Sequence, residues 1–457
     1  MNRWTWTRAV CVLGVLMGIG PAMAMTADAD PGWKAGVASV VITPEQSIWL
    51  AGYAARTKPS EGKFQDLFAK ALAVEDAGGT RLVIVTLDLI GISRGMRGFL
   101  AKQAEERYRL PPQSLLVNAS HTHSGPVVRE GKSATYSLNS EQDRQVEQYA
   151  VGLKEKLVVL IGDALKDLAP AKLSYSHARA GFAMNRRLPT PKGYQNSPYP
   201  DGPVDHDVPV LRVDRPDGKL LAVLFGYACH NTTLGDYQFS GDYAGYAQQY
   251  LEEAHPGIKA LFMIGCGGDQ NPYPRRTVAL AEQHGRALAN AVETALLPKP
   301  RPVAGPLHTA LAEVPLDFVV PSREELLKQK ESKNKYEQRH AALLLEKLDQ
   351  QGKLPASYPY LVQVVQFGKD LTLVALAGEV VVDYSLRLKR ELPDMPVWVA
   401  GYTNDVFGYI PSERVLSEGG YEGRDAMIYT SNPGPFAPTV EERIVGKVHE
   451  LLKAPAK

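Results

Sequence analysis

Apolar residues in this chain fall into two kinds of run. Short, β-branched-rich stretches recur as RLVIVTLDL (81–89), SLLVNAS (114–120), KLLAVLFGYAC (219–229), KALFMIG (259–265), LTLVALAG (371–378) and VWVAGY (397–402). Near-continuous apolar runs of this length predict strands buried on both faces. Between them, Val146, Tyr149, Leu153, Leu157, Leu160, Ile161 and Leu165 recur at spacings of three and four, as do Leu280, Leu288 and Val292. That period predicts amphipathic helices. The interleaving points to a mixed α/β class, with mixed central sheet(s) and flanking helices. Residues 322–351 are dense in charge and strong helix formers, which predicts a partly solvated helix or a lid over a site. No repeat or linker divides the chain, so residues 25–457 read as one domain.

The first 24 residues break this pattern. Arg3 and Arg8 precede the apolar run AVCVLGVLMGIG, and Ala22–Ala24 supply a small-x-small cleavage site. This predicts a signal peptide over 1–24 and an exported protein, periplasmic or secreted. The run is shorter than the roughly 20 residues of a spanning helix, so no transmembrane anchor is expected in the mature chain. Removing Arg3 and Arg8 leaves 49 of the 51 basic residues against 50 acidic ones. That balance offers nothing to nucleic acid, and it leaves a small-molecule or lipid substrate as the expected partner. Oligomeric state is not legible. Of three cysteines, Cys11 leaves with the signal; Cys229 and Cys266 are either buried residues or a single pair, not a disulfide framework.

The reactive residues cluster after the predicted strands. His121 and His123 follow one, His230 another, Asp269 a third and Glu379 a fourth, with Tyr409 soon after a fifth. In open α/β sheets, loops from distant parts of the chain converge beyond the carboxyl ends of strands, where ligands collect. In an extended segment His121 and His123 would face the same way. Imidazole is the commonest metal ligand, although a lone H-x-H is more often structural. Glu379 follows an apolar run and must meet either a cation or an arginine if buried.

The ordered landmarks NASHTHSGP, NRR (185–187), ACHNTTLG, SGDYAGYA (240–247), CGGDQNP (266–272), LAGE and TNDVFGYIPSE…GGYEG (403–423) resemble those of the neutral/alkaline non-lysosomal ceramidase family, from about residue 34 onward. Members are zinc amidases that cleave the N-acyl bond of ceramide. The resemblance implies Zn2+ held by His121, His230, Glu379 and Tyr409, with Tyr421 and Arg186 on the substrate side. Zinc would activate a water, Tyr421 and Arg186 would face the oxyanion, and His123 would shuttle a proton or brace the ligands. Asp88, Asp242 and Asp269 are further candidates to orient imidazoles.

Two departures bear on substrate. Asn271 stands where the family pattern has serine, so an acyl-serine route is closed at that position and the polar contact there differs. The C-terminal β-sandwich of longer members is not expected, and 322–351 does not match the family's aromatic-rich pattern. Three readings follow: a zinc amidase acting on ceramide or a related acyl-amide; the same chemistry on a polar molecule such as a glycan or a small ester or amide; or a non-catalytic, metal-containing binding protein. A long-chain ceramide against short acyl-amides separates the first two. The third has no use for the substrate-side groups Tyr421, Arg186 and His123.

Overall fold

The computed structural model describes residues 1, 2, 4, 32–128, 135, 136 and 138–453. The signal-peptide expectation therefore lies outside the described residues. Two sheets stack face to face. The larger runs in the order Lys259–Ile264, Leu220–Tyr227, Asp207–Asp214, Ala169–Arg179, Trp33–Val41, Phe68–Asp76, Arg81–Leu87 and Leu115–Ala119, with Arg301–Pro302 beside Ala169–Arg179. The smaller comprises Leu307–Asp317, Ser357–Phe367, Leu371–Leu376 and Val397–Ala400. Between them lies a shared core including Leu72, Leu82, Ile84 and Leu224 from the first sheet and Phe367, Leu373 and Trp398 from the second.

Helices cover both outer faces. Arg94–Tyr108 and Ser140–Lys166 pack on one half of the larger sheet, and Asp242–Ala254 and Val278–Leu296 on the other. Asp383–Glu391 and Val440–Lys453 cover the smaller sheet. The mixed α/β class is thus a four-layer arrangement, and all six predicted strands are present. No helix of the described residues is long and apolar enough to cross a membrane.

Three parallel pairs set the position of the site. Arg81–Leu87 runs parallel to Leu115–Ala119, Leu220–Tyr227 to Lys259–Ile264, and Leu371–Leu376 to Val397–Ala400. Their carboxyl ends meet because the larger sheet curls until its two edge strands approach. Asn118, fully buried, accepts from Ile264 N (3.0 Å) and donates to Gly401 O (2.8 Å). The 400–404 turn lies against both edges: Asn404 N donates to Val117 O (2.7 Å), and Ala400 bridges Gly265.

The charged segment forms two helices rather than one, Arg323–Lys330 and Lys335–Gln351. Ser332 and Asn334 explain the break. Ser332 Oγ accepts from Asn334 N, and Asn334 Oδ1 caps the second helix at Tyr336 N, local bonds that compete with a continuous helix. Cys229 and Cys266 are free, buried thiols in separate cores.

Candidate metal centre and its cavity

The segment after Leu115–Ala119 is not extended. His121 has φ +61°, a left-handed conformation uncommon for a residue with a β-carbon. The alternation argument for His121 and His123 therefore fails in its premise, because the tight turn, not a strand, carries both rings to one place. His121 N donates to Leu89 O (2.9 Å) and His123 N to Asn231 O (3.2 Å), which fixes the turn between the two halves of the sheet. The Nε2 atoms of His121 and His123 lie 3.2 Å apart.

His121 Nδ1 faces Ile90 O at 2.6 Å and His230 Nδ1 faces Gly267 O at 2.7 Å. A carbonyl only accepts, so both Nδ1 atoms carry the proton and both Nε2 atoms point inward. They meet Glu379 Oε2 at 3.2 and 3.3 Å. This oxygen is buried and accepts no well-formed hydrogen bond. Glu379 arrives there by pairing with Tyr409 across a short parallel bridge, and among the described residues its ion pairs are to His121 and His230 rather than to an arginine. Either a proton or a cation must occupy the space between these atoms. Burial, then Arg186, pulls His230 down to about 4, which opposes the proton.

Tyr409 Oη lies 3.3 Å from His230 Nε2 and accepts from Arg186 Nη2 at 2.9 Å. His121, His123 and His230 together form a group that could hold a metal ion. Two imidazoles, a carboxylate and a phenol oxygen fit zinc equally well as a donor set. A metal ion here would therefore have two candidate ligand sets, which differ in the part given to His123.

His123 is held differently from the other two rings. Gly52, at φ +95°, lies flat against it, and a Cβ there would stand 2.4 Å from its Cγ. Tyr53 meets the ring edge-on at 4.8 Å between centroids. Its Nδ1 is buried without a partner, and burial, followed by His121 and His230, pushes its pKa well down. Unlike its neighbours, this imidazole has no carbonyl fixing its tautomer among the described residues.

A cavity of about 750 Å3 opens over these groups. His121, His123, Glu379, Tyr409 and Tyr421 line it, whereas Arg186 and Asn271 do not. Arg186 is expected above on the substrate side, but its guanidinium is buried behind Tyr409, bonded to Glu422, Asn271, His230 and Tyr409. Asn271 Oδ1 accepts from Arg186 and from Thr232 Oγ1, each at 3.2 Å. Tyr421 stacks edge-on with Tyr409, centroids 5.4 Å apart. The far wall includes Tyr336, Tyr358, Phe407 and Tyr429, so the second helix of the charged segment contributes directly to the cavity.

Asp88, Asp242 and Asp269 do not orient the imidazoles. Each is spent on backbone amides that close loops: Phe68 N, Leu234 N and Val382 N respectively. Sequence reasoning also missed Tyr402, whose ring lies 4.5 Å from that of His121, and Glu422. The motif GGYEG held the only available signal for Glu422.

The sequence profile described as neutral/alkaline non-lysosomal ceramidase, N-terminal, matches residues 33–267, just over half of the 457 residues. The chain belongs to that family. It is 25% identical over 245 residues to the neutral ceramidase of Mycobacterium tuberculosis, covering 49% of this chain and 37% of that protein. It is 26% identical over 248 residues to neutral ceramidase B of Dictyostelium discoideum, covering 50% and 33%. The matched stretch thus spans about a third of these relatives. The fold is similar to that of the Pseudomonas aeruginosa neutral ceramidase crystal structure, with TM-score 0.73 and 20% identity over 94% of this chain and 76% of that one.

Proposed function

We propose that this protein is an exported zinc-dependent amidase that cleaves the N-acyl bond of ceramide or a related acyl-amide. The observation that carries the proposal is the convergence of two inward-facing Nε2 atoms on Glu379 Oε2, at 3.2 and 3.3 Å, in the floor of a cavity. His121, His230, Glu379 and Tyr409 would hold the ion. When bound, zinc supplies the Lewis acidity that makes water a usable nucleophile near neutral pH. Membership of the ceramidase family and the likeness to neutral ceramidases support the amide substrate.

The chain's own residues divide the remaining work. His123, kept neutral by burial and with Nδ1 closed off against Gly52, would take a proton from the attacking water at Nε2, the ring nitrogen beside His121, and return it to the leaving nitrogen. Tyr421 lines the cavity beside Tyr409 and donates its hydroxyl proton toward the carbonyl oxygen as negative charge develops. Arg186 holds Tyr409 from behind. Asn271 supports Arg186, which leaves no nucleophilic side chain at that position.

One observation favours a more polar substrate on the same machinery. The cavity is lined by seven tyrosines, at 53, 136, 336, 358, 409, 421 and 429, against the aliphatic side chains of Ile90, Ile92, Val128 and Val406. Tyrosine walls suit ligands with polar groups along their length. The first experiment is zinc content of purified protein by mass spectrometry, followed by hydrolysis of long-chain ceramide and short acyl-amides. About one zinc per chain and turnover of ceramide support the proposal. Absence of zinc from the wild type after zinc supplementation refutes the metal mechanism; turnover of only short polar substrates moves the substrate to the second class.

A further inference from the structure

Behind the proposed ligands lies a buried chain of alternating charge, of which the mechanism above uses only Arg186. Arg186 and Arg187 are consecutive on the strand Ala183–Thr190, and their side chains are 4% and 2% exposed. Glu422, whose side chain is 3% exposed, receives both: Oε1 accepts from Arg186 Nε and Oε2 from Arg187 Nη1, each at 2.7 Å. Glu418 accepts from Arg187 Nη2 at 3.0 Å, whereas the side-chain bonds of Arg186 go to Glu422, His230, Asn271 and Tyr409. One carboxylate thus serves the arginine that faces the site and the arginine that faces away from it.

We infer that Glu422 is a positioning residue for the metal centre, acting through Arg186 on Tyr409 and Tyr421. The inference rests on the zinc reading above. The guanidinium plane fixes five donors in one rigid fork, so the bond at Nε determines where Nη1 and Nη2 point. With Nε on Glu422, Nη2 reaches Tyr409 Oη at 2.9 Å, and Nη1 is shared between Asn271 Oδ1 and His230 Nε2 at 3.2 and 3.3 Å. The Arg186 guanidinium carbon also lies 5.5 Å from the Tyr409 ring centre and 5.9 Å from that of Tyr421. Tyr421 is the residue before Glu422, on the four-residue turn Gly420–Gly423. A single anchor therefore sets a ligand from behind and a cavity-facing hydroxyl from its own backbone.

Two consequences of losing the Glu422 charge have the same sign. Arg186 is released from Tyr409 Oη, and its own positive charge stands uncompensated beside a cation site. Both loosen zinc. Outer partners of metal ligands are commonly worth 10–100-fold in affinity.

The test measures zinc dissociation by chelator competition, with thermal unfolding of the metal-free protein alongside, for wild type, Glu422→Gln, Glu422→Asp and Glu418→Gln. Glu422→Gln is expected to bind zinc roughly 10-fold or more weakly. Glu422→Asp, which keeps the charge, recovers part of the loss. Glu418→Gln lowers thermal stability and leaves zinc affinity unchanged. Equal zinc affinity in wild type and Glu422→Gln overturns the inference alone, as does an equal loss in Glu418→Gln. Should Glu422→Gln not fold, Glu422→Asp decides: a shifted carboxylate that leaves zinc affinity unchanged overturns the inference. A wild type that binds no zinc overturns the metal reading and this inference together.

Discussion

The floor of the cavity and its far wall are assembled differently. At the floor, His121, His230 and Tyr409 come from three separate segments, and each is fixed from behind, by Ile90 O, Gly267 O and Arg186 respectively. On the wall, Tyr336 donates to Ala54 O (2.9 Å) and Lys347 reaches Ser431 O (2.7 Å) from partly or fully solvated positions, and only His340, facing Asn432 O (2.7 Å), is buried among these three. A floor held this way has one geometry, which suits bond-breaking. A wall held by a few outer contacts can change without disturbing that geometry, so it is the part that sets which molecules enter.

The comparison breaks most sharply at Glu379. Glu379→Ala should leave the metal-free protein folded, yet hold less than about a tenth of a zinc per chain and lose amide hydrolysis to background. Metal analysis and turnover of an acyl-amide check both. Retained zinc would place the ion elsewhere on the floor.

His123→Ala comes next and sharpens the floor itself. With His123 as the proton carrier, kcat falls by roughly 10²–10⁴ while zinc stays bound. Loss of zinc together with activity would instead put His123 among the ligands, as its 3.2 Å approach to His121 allows.

A smaller effect is expected from pH. His230 is pulled to about 4 in the fold, below its usual 6.5, so between these values the unfolded chain binds a proton that the folded one does not. Stability of the metal-free protein then falls as pH drops from 6.5 towards 4, by up to about 1.4 kcal/mol per unit from this group. Because Asp269, raised to about 7 by burial and then by Asp383, contributes the opposite slope, the measurement is a difference. Denaturant unfolding of wild type and His230→Gln across that range should show a shallower acid loss in the variant.

The wall should give the least. Tyr336→Ala is expected to raise KM by a few-fold, leaving kcat and zinc content near wild type, because it removes binding shared by ground and transition states. A fall in kcat equal to the rise in KM would show that the wall also shapes the reaction.

Much of this was legible in the chain. The six apolar runs are strands because both faces of each are buried between layers, which is the condition that produces a continuous apolar run. Strands such as Phe68–Asp76 (FAKALAVED) and Leu307–Asp317 (LHTALAEVPLD) went unread, since alanine and charged residues interrupt their pattern. The candidate ligands were visible because they follow parallel strands whose ends must converge. What fixes them was not: the carbonyls of Ile90 and Gly267 look like any other backbone, and Glu422 meets Arg186 across 236 residues. Residues 33–267, matched by the family profile, contain His121, His123, Arg186 and His230 but neither Glu379 nor Tyr409.

The curl that brings the two edges of the larger sheet together at Asn118 also bears on the behaviour of the protein in a crowded solution. An edge strand is a row of unpaired amides and carbonyls, ready to template another chain. Here the 400–404 turn covers both edges near the site, with Asn404 on Val117 and Ala400 on Gly265. Local opening of that turn would bare two apolar edges at once, Leu115–Ala119 and Lys259–Ile264. Association between chains should therefore begin there, where one turn guards both edges.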